Sequence, residues 1–441
     1  MRKDGQQNEE EEEELAVDPS FVLQCIIRVL EESKRTTAIT SNNDDDYLEL
    51  LLQQHEQEAI ESCSFLWDLS VTEAHTAFMQ KHGVPSVLLN LLARHSLHSD
   101  RLIELAVGTL ANMTSFSSVA SSLAARQDMQ DVLWQLWLDS FSVPVLIELS
   151  RFFTVGVCTQ QSQRTWLCCF GRQIAAATTT ENKEEDEEEE EEGGEAMLTV
   201  KKEERLPAID KLVWVLQNTL DETLLEKASD LIYAIIAYCK EAVTEENEEE
   251  DATTSSDCYP MIISYLLHTS APTNITELVV ELLLQQLSPS HEDNPRDSLI
   301  ATLLHTLELC LSEQDIASAS SSSFDHQTYE KIVKTLVRCI SVYSRDIADN
   351  EAVLHSCVVL LIQLTASQPS FLSFLVSGAL ILFSPCILCF LISSFSSCSS
   401  SFSADEKAMK ALQTFRTLSD TTSSSSSVVA LLLERAFSSS H

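Results

Sequence analysis

The side chains able to do chemistry in this chain are scattered, and their spacing argues against catalysis. There are 13 cysteines and 11 histidines, but they do not recur at the intervals a bound ion requires. Cys386-Ile-Leu-Cys389 is a C-x-x-C with no second pair at zinc spacing. Cys168 and Cys169 are adjacent, so a helix would aim them apart. His95 and His98 fall at a helix–loop junction without an evident acidic or thiol partner, and His55-Glu56 lacks the second histidine of a zincin helix. No P-loop, G-x-G-x-x-G or G-x-S-x-G occurs. The expectation is a non-enzyme with no catalytic residue, no metal and no cofactor.

The elements that would position any other site are helices. Val84, Val87, Leu88, Leu91 and Leu92 form one apolar stripe, about 100° wide on a helix. Gly83 suits the left-handed residue that ends a preceding helix, and Pro85 suits a first turn. Ser99 and Asp100 can cap the next helix, whose stripe is Leu102, Leu105, Ala106, Leu110 and Met113. The pattern recurs: Val84-Pro-Ser-Val-Leu-Leu-Asn-Leu-Leu92 is matched by Leu206-Pro-Ala-Ile-Asp-Lys-Leu-Val-Trp214 and Tyr259-Pro-Met-Ile-Ile-Ser-Tyr-Leu-Leu267. Leu102-Ile-Glu-Leu105 returns as Leu146-Ile-Glu-Leu149, an offset of 44, and Pro85 to Pro207 is 122, near three such units. A period of roughly 40–47 residues is that of armadillo and HEAT arrays. The fold class expected is all-α, an armadillo/HEAT-like helical-repeat solenoid with acidic disordered insertions.

In armadillo adaptors that read nuclear-localisation peptides, asparagine amides clamp peptide backbone and tryptophan faces sandwich lysine stems in a Trp-x-x-x-Asn ladder. Asn112 holds the asparagine position, but Gly108 stands where tryptophan would be, and Gly156 and Ala234 replace later asparagines. Such a ladder is absent. Asn112 either lines a groove or satisfies a neighbouring backbone group, while Gly108 permits close helix packing. Trp67 reads as a core anchor or a binding hot spot, and Asp68 as its solvent-facing neighbour or a cap for the following helix. Trp134 and Trp137 share a helix face and read as core. Trp67, Asp68, Thr109 and Asn112 are the candidate partner-binding residues.

The net charge of −40 is concentrated. Residues 9–14, 44–46, 181–195 and 245–251 hold 26 of the 68 acidic side chains, and such runs repel themselves and stay solvated. They read as solubilising loops or as contacts for basic proteins such as histones or import receptors. The balance opposes direct nucleic-acid binding, which needs Lys and Arg against phosphate. The first residues lack the apolar core of a secretory signal, so the cysteines are expected as reduced thiols.

The organisation expected is an acidic tail over 1–18, armadillo-like repeats over 19–177, an acidic disordered insertion over 178–205, a further repeat over 206–243, an acidic loop over 244–257 and repeats over 258–366. Single helices are expected over 118–138, 143–157 and 160–177. An apolar, Ser-rich segment over 367–404 and a helical, Ser-rich tail over 405–441 follow. Between Ala352 and Ala404 there is no Asp, Glu, Lys or Arg. Buried helices, a membrane span and a translated intron over 377–403 all fit that composition, and a membrane partner is disfavoured by Pro385, the serines and the distant flanking charges.

Phe65-Leu-Trp-Asp-Leu-Ser70, Phe78 and Gln80, then Ala106-Val-Gly-Thr-Leu-Ala-Asn-Met-Thr-Ser-Phe116 and Leu149-Ser-Arg151 resemble the serum amyloid A-like protein family, over roughly residues 60–157. The resemblance implies an armadillo-like fold, a nuclear setting, an association with cell proliferation and no catalytic activity. The function expected is a non-catalytic nuclear scaffold for protein–protein interaction. Alternatives are an armadillo-type nucleotide-exchange co-chaperone of an Hsp70-type ATPase, or a membrane-tethered adaptor.

Overall fold

The computed structural model describes residues 17–34, 45–187, 208–246, 258–268, 274–288, 297–317, 326–343 and 350–367. Every regular element among them is a helix. The chain divides into two compact units, one ending at Ala271 and the other starting at Pro272. That boundary falls inside the block of repeats expected over 258–366.

The first unit begins with α1 (Pro19–Ser33) and α2 (Asp45–Leu69). Helix triplets follow: α3 (Glu73–Lys81), α4 (Val84–Leu92) and α5 (Asp100–Thr114), then α6 (Ser117–Ala124), α7 (Gln127–Asp139) and α8 (Val143–Cys158). A third triplet is α9 (Gln160–Glu187), α10 (Ala208–Asn218) and α11 (Glu222–Glu246), and α12 (Cys258–His268) packs on α9 and α11. Three layers result, because each helix rests on its counterpart one triplet away. One layer is α3–α6–α9, a second α1–α4–α7–α10, and a third α2–α5–α8–α11. The first two triplets start at Glu73 and Ser117, so the offset of 44 read from the Leu-Ile-Glu-Leu motifs is the structural repeat.

Local chemistry sets the helix ends. Asp18 caps α1 by accepting from the Ser20 amide at 2.9 Å, with Pro19 in the first turn. Gly83 adopts φ 77°, the left-handed conformation that a side chain disfavours, and divides α3 from α4. Ser99 does sit at the N-cap of α5, but its side chain makes no capping bond. Its amide instead donates to Glu56 on α2 at 2.7 Å, tying the two helices together.

Several expectations need correction. Residues 118–138 are two helices, because Arg126 takes an extended backbone and its guanidinium grips Asp128 in the first turn of α7 at 2.8 and 3.1 Å. The Gln130 amide then reaches back to the Ala124 carbonyl at 2.6 Å, satisfying an acceptor that the end of α6 leaves open. Helix α9 runs to Glu187, past the expected end at 177, since residues 172–187 contain good helix formers and neither Gly nor Pro. Helix α11 likewise extends into the acidic stretch, to Glu246. The interval from Pro85 to Pro207 spans two steps of a layer, from α4 through α7 to α10, and not three. The long α9 and the acidic segment after it take up the excess.

An aromatic cluster welds the second triplet to the third. Trp134 stacks on Phe153 at 4.4 Å, and Trp166 sets its edge against Phe152 and Phe153 at 5.3 and 5.6 Å. Trp137 is buried and its indole N–H donates to the Ala208 carbonyl at 3.1 Å, anchoring the start of α10. The second unit has helices α13 (Ile275–Gln286), α14 (Asp297–Ala317), α15 (His326–Tyr343) and α16 (Glu351–Ser367). There α13 packs on α14 and α15, and α16 on the same two, the arrangement of stacked two-helix repeats.

Among the described residues no helix is long and apolar enough to cross a membrane. The expectations for residues 1–16, 188–205, 247–257 and 368–441 lie outside the described residues. The three readings of 377–403 and the Cys386–Cys389 pair fall there too.

Candidate functional site

The layer α2–α5–α8–α11 brings the polar candidates together. Trp67 lies in the last turns of α2; Gly108 and Asn112 are one turn apart on α5; Glu148 and Arg151 are i, i+3 on α8; Lys227 and Asp230 are i, i+3 on α11. The Asn112 amide donates to the Trp67 carbonyl at 3.3 Å and to the Ser70 hydroxyl at 2.9 Å. Its oxygen accepts from Arg151 Nη1 at 2.6 Å. Arg151 also donates from Nη2 to the Gly108 carbonyl at 3.1 Å and from Nε to Glu148 Oε2 at 2.8 Å. Its guanidinium carbon stands 5.9 Å from the centroid of the Trp67 ring. One arginine therefore holds three helices in register.

Gly108 makes that register possible. A Cβ there would lie 3.0 Å from the Trp67 indole and 3.0 Å from Glu148 Oε2. Gly108→Ala is expected to destabilise the first unit by about 1–3 kcal/mol, although alanine is the better helix former. Urea titration followed by tryptophan fluorescence reads this selectively, since Trp67, Trp134, Trp137, Trp166 and Trp214 all belong to the first unit.

Glu148 is the buried anion of the cluster. Burial pushes its carboxyl above the usual range, the Arg151 charge and hydrogen bond pull it back, Glu104 pushes it up, and Lys227 pulls it down. A carboxyl raised on folding binds more protons in the folded state than in the unfolded chain. Its contribution to stability is therefore greatest below the unfolded value and is lost as pH rises through the folded one. Unfolding titrations across the mildly acidic range should show this slope in the wild type and lose it in Glu148→Gln; an unchanged slope would remove Glu148 as its source.

The four candidate residues separate. Asn112 is half-buried and spent on its neighbours, the backbone-satisfying alternative of the two raised for it. Trp67 is half-buried and Asp68 exposed. Thr109 is a correction: it is 0% exposed and its hydroxyl bonds to the Leu105 carbonyl at 2.8 Å, so no partner can reach it. Glu104, Glu148, Arg151 and Lys227 were not among the candidates. The repeated Leu-Ile-Glu-Leu motif held the signal, because it places Glu104 and Glu148 at equivalent positions of α5 and α8. The two histidines do not converge. His95 Nδ1 meets the Leu92 carbonyl at 3.2 Å, and the buried His98 ring lies 3.3 Å from the Glu32 carboxylate.

Comparison with known proteins finds partial similarity to one group of proteins. Over 112 residues, 25% of its length, the chain is 30% identical to Protein saal1 of Xenopus tropicalis. Over 119 residues it is 29% identical to Protein SAAL1 of Homo sapiens, and over 102 residues 30% identical to Protein saal1 of Danio rerio. Over the matched segment the chain is similar to the SAAL1 proteins. The match spans about a quarter of the length of the SAAL1 relatives, 24% for both the frog and the human protein. No protein-family profile matches the chain. Among the residues that carry the family resemblance, Trp67, Ser70, Gly108, Asn112 and Arg151 are joined across α2, α5 and α8.

Proposed function

We propose that this chain is a non-catalytic scaffold that binds a protein partner across the layer α2–α5–α8–α11. One observation carries the reading: residues from three sequence segments, each within a family-like motif, converge on a single arginine clamp instead of on a reactive centre. Stacked repeats offer long surfaces for extended ligands. On these four helices the acidic side chains outnumber the basic ones, Arg101, Arg151, Lys227 and Lys240, a balance that suits a basic extended segment of the partner. A nuclear location and a role in proliferation rest on the SAAL1 relationship alone.

Proximity labelling in living cells tests the reading, comparing wild type with a doubly reversed variant, Asp68→Lys with Glu104→Lys. Both positions are at least partly exposed, so the fold should survive, which circular dichroism checks. Loss of a discrete set of labelled proteins, enriched in basic segments, is the expected outcome. An identical labelled set from a folded variant would discard this face.

A further inference from the structure

Two thiols meet where α9 meets α12, away from the clamp. Cys168 Sγ lies 3.1 Å from Cys258 Sγ, and both residues are half-buried. Gly171, one turn beyond Cys168, permits the approach: a Cβ there would stand 3.0 Å from the Cys258 Cβ. The sulfurs are about 1 Å beyond disulfide length, a gap that side-chain rotation closes. The adjacent Cys169 points elsewhere, its sulfur 3.1 Å from Gln130 Oε1 and 2.9 Å from Arg172 Nη2, and is buried. Cys239 on α11 is buried too.

We propose that Cys168 and Cys258 form a reversible oxidation site, at which a hydroperoxide converts the pair to a disulfide that staples α12 onto α9. The contact with the Cys168 sulfur and burial hold the Cys258 thiol well above the ordinary range, and either sulfur can be the donor in that contact. Cys168 is taken as the nucleophile, and the converse order yields the same link. The Cys168 thiolate bonds to one peroxide oxygen as the O–O bond breaks, and the departing oxygen takes a proton and leaves as water, or as an alcohol from an organic peroxide. Cys258 then attacks the resulting sulfenic sulfur. The S–O bond breaks, and the hydroxide leaves as water with the Cys258 proton. Two electrons pass from the sulfur pair to the peroxide, and a dithiol returns them by exchange. The link closes a span of 90 residues that includes α10 and α11, so it fixes the far end of the proposed binding layer.

The full-length protein is treated with hydrogen peroxide, its remaining thiols are alkylated, and tryptic peptides are mapped by mass spectrometry. The expected product joins residues 165–172 to the peptide carrying Cys258, with loss of two hydrogens, and dithiothreitol separates them. Because Cys168 and Cys169 share that peptide, the link should persist in Cys169→Ser and vanish in Cys168→Ser and Cys258→Ser. Oxidation should raise the melting temperature of the first unit by about 5–15 °C. A link that survives Cys168→Ser, a link between two chains, or sulfonic acid at Cys168 without any link would overturn the proposal. If either pair variant fails to fold, the wild-type map together with Cys169→Ser still decides.

Discussion

Arg151→Ala is expected to cost the first unit about 2–4 kcal/mol, the low side of what breaking a buried ion pair costs, since the guanidinium is 27% exposed while Glu148 is 10% exposed. The loss has two parts. Asn112 and the Gly108 carbonyl lose a shared donor, and the Glu148 carboxylate stays buried with its nearest cation gone. The second part is removable. Glu148→Gln in the same chain should recover at least half of the lost stability, because a neutral amide needs no counter-charge. Denaturant midpoints followed by tryptophan fluorescence supply the four corners of the cycle. Strictly additive losses would mean that the clamp is not a coupled unit.

Trp166→Ala should be costlier still, about 3–5 kcal/mol, because a fully buried ring is deleted from the middle of the aromatic cluster. Its partner in the prediction is Gly156 on α8, where a Cβ would lie 2.8 Å from Trp166 Cδ1 and 2.9 Å from Nε1. Overpacking makes Gly156→Ala destabilising by about 1–3 kcal/mol. With the indole gone, the added methyl enters vacated space and restores helix propensity, so the same substitution should become neutral or favourable. This change of sign is the diagnostic result. A Gly156→Ala cost that is the same in both backgrounds would place the strain elsewhere in α8.

Helix placement was largely legible in the sequence, because 3.6-residue apolar periodicity and turn chemistry are local. Ser99, Asp100 and the leucine stripe mark α5 in the sequence, and the helix starts at Asp100. The break between α6 and α7 carries no Gly or Pro and so leaves no local mark in the sequence. It depends on Arg126 and Gln130 folding back on their own segment, contacts invisible to periodicity. The site was half legible. Trp67 and Asn112 are unusual residues for helix ends and drew attention as motifs. Arg151 enters the sequence only as part of the family-like Leu149-Ser-Arg151, and its role as a clamp is hidden there, since an arginine on an amphipathic helix reads as a solvated face until its distance to a helix 43 residues earlier is known. Thr109 was misplaced for the converse reason: a hydroxyl that bonds to the preceding turn of its own helix looks polar in sequence and behaves as core.

The claim that the α2–α5–α8–α11 layer is the binding face is tested most directly by hydroxyl-radical footprinting of the chain alone and in complex with the partner recovered by proximity labelling. The account predicts that oxidation of Trp67 and Tyr238, both half-buried on this layer, falls sharply in the complex. Phe141 and Trp214, exposed together on the α7–α8 loop and on α10, should oxidise as before. Protection confined to Phe141 and Trp214, with Trp67 and Tyr238 unchanged, would contradict it.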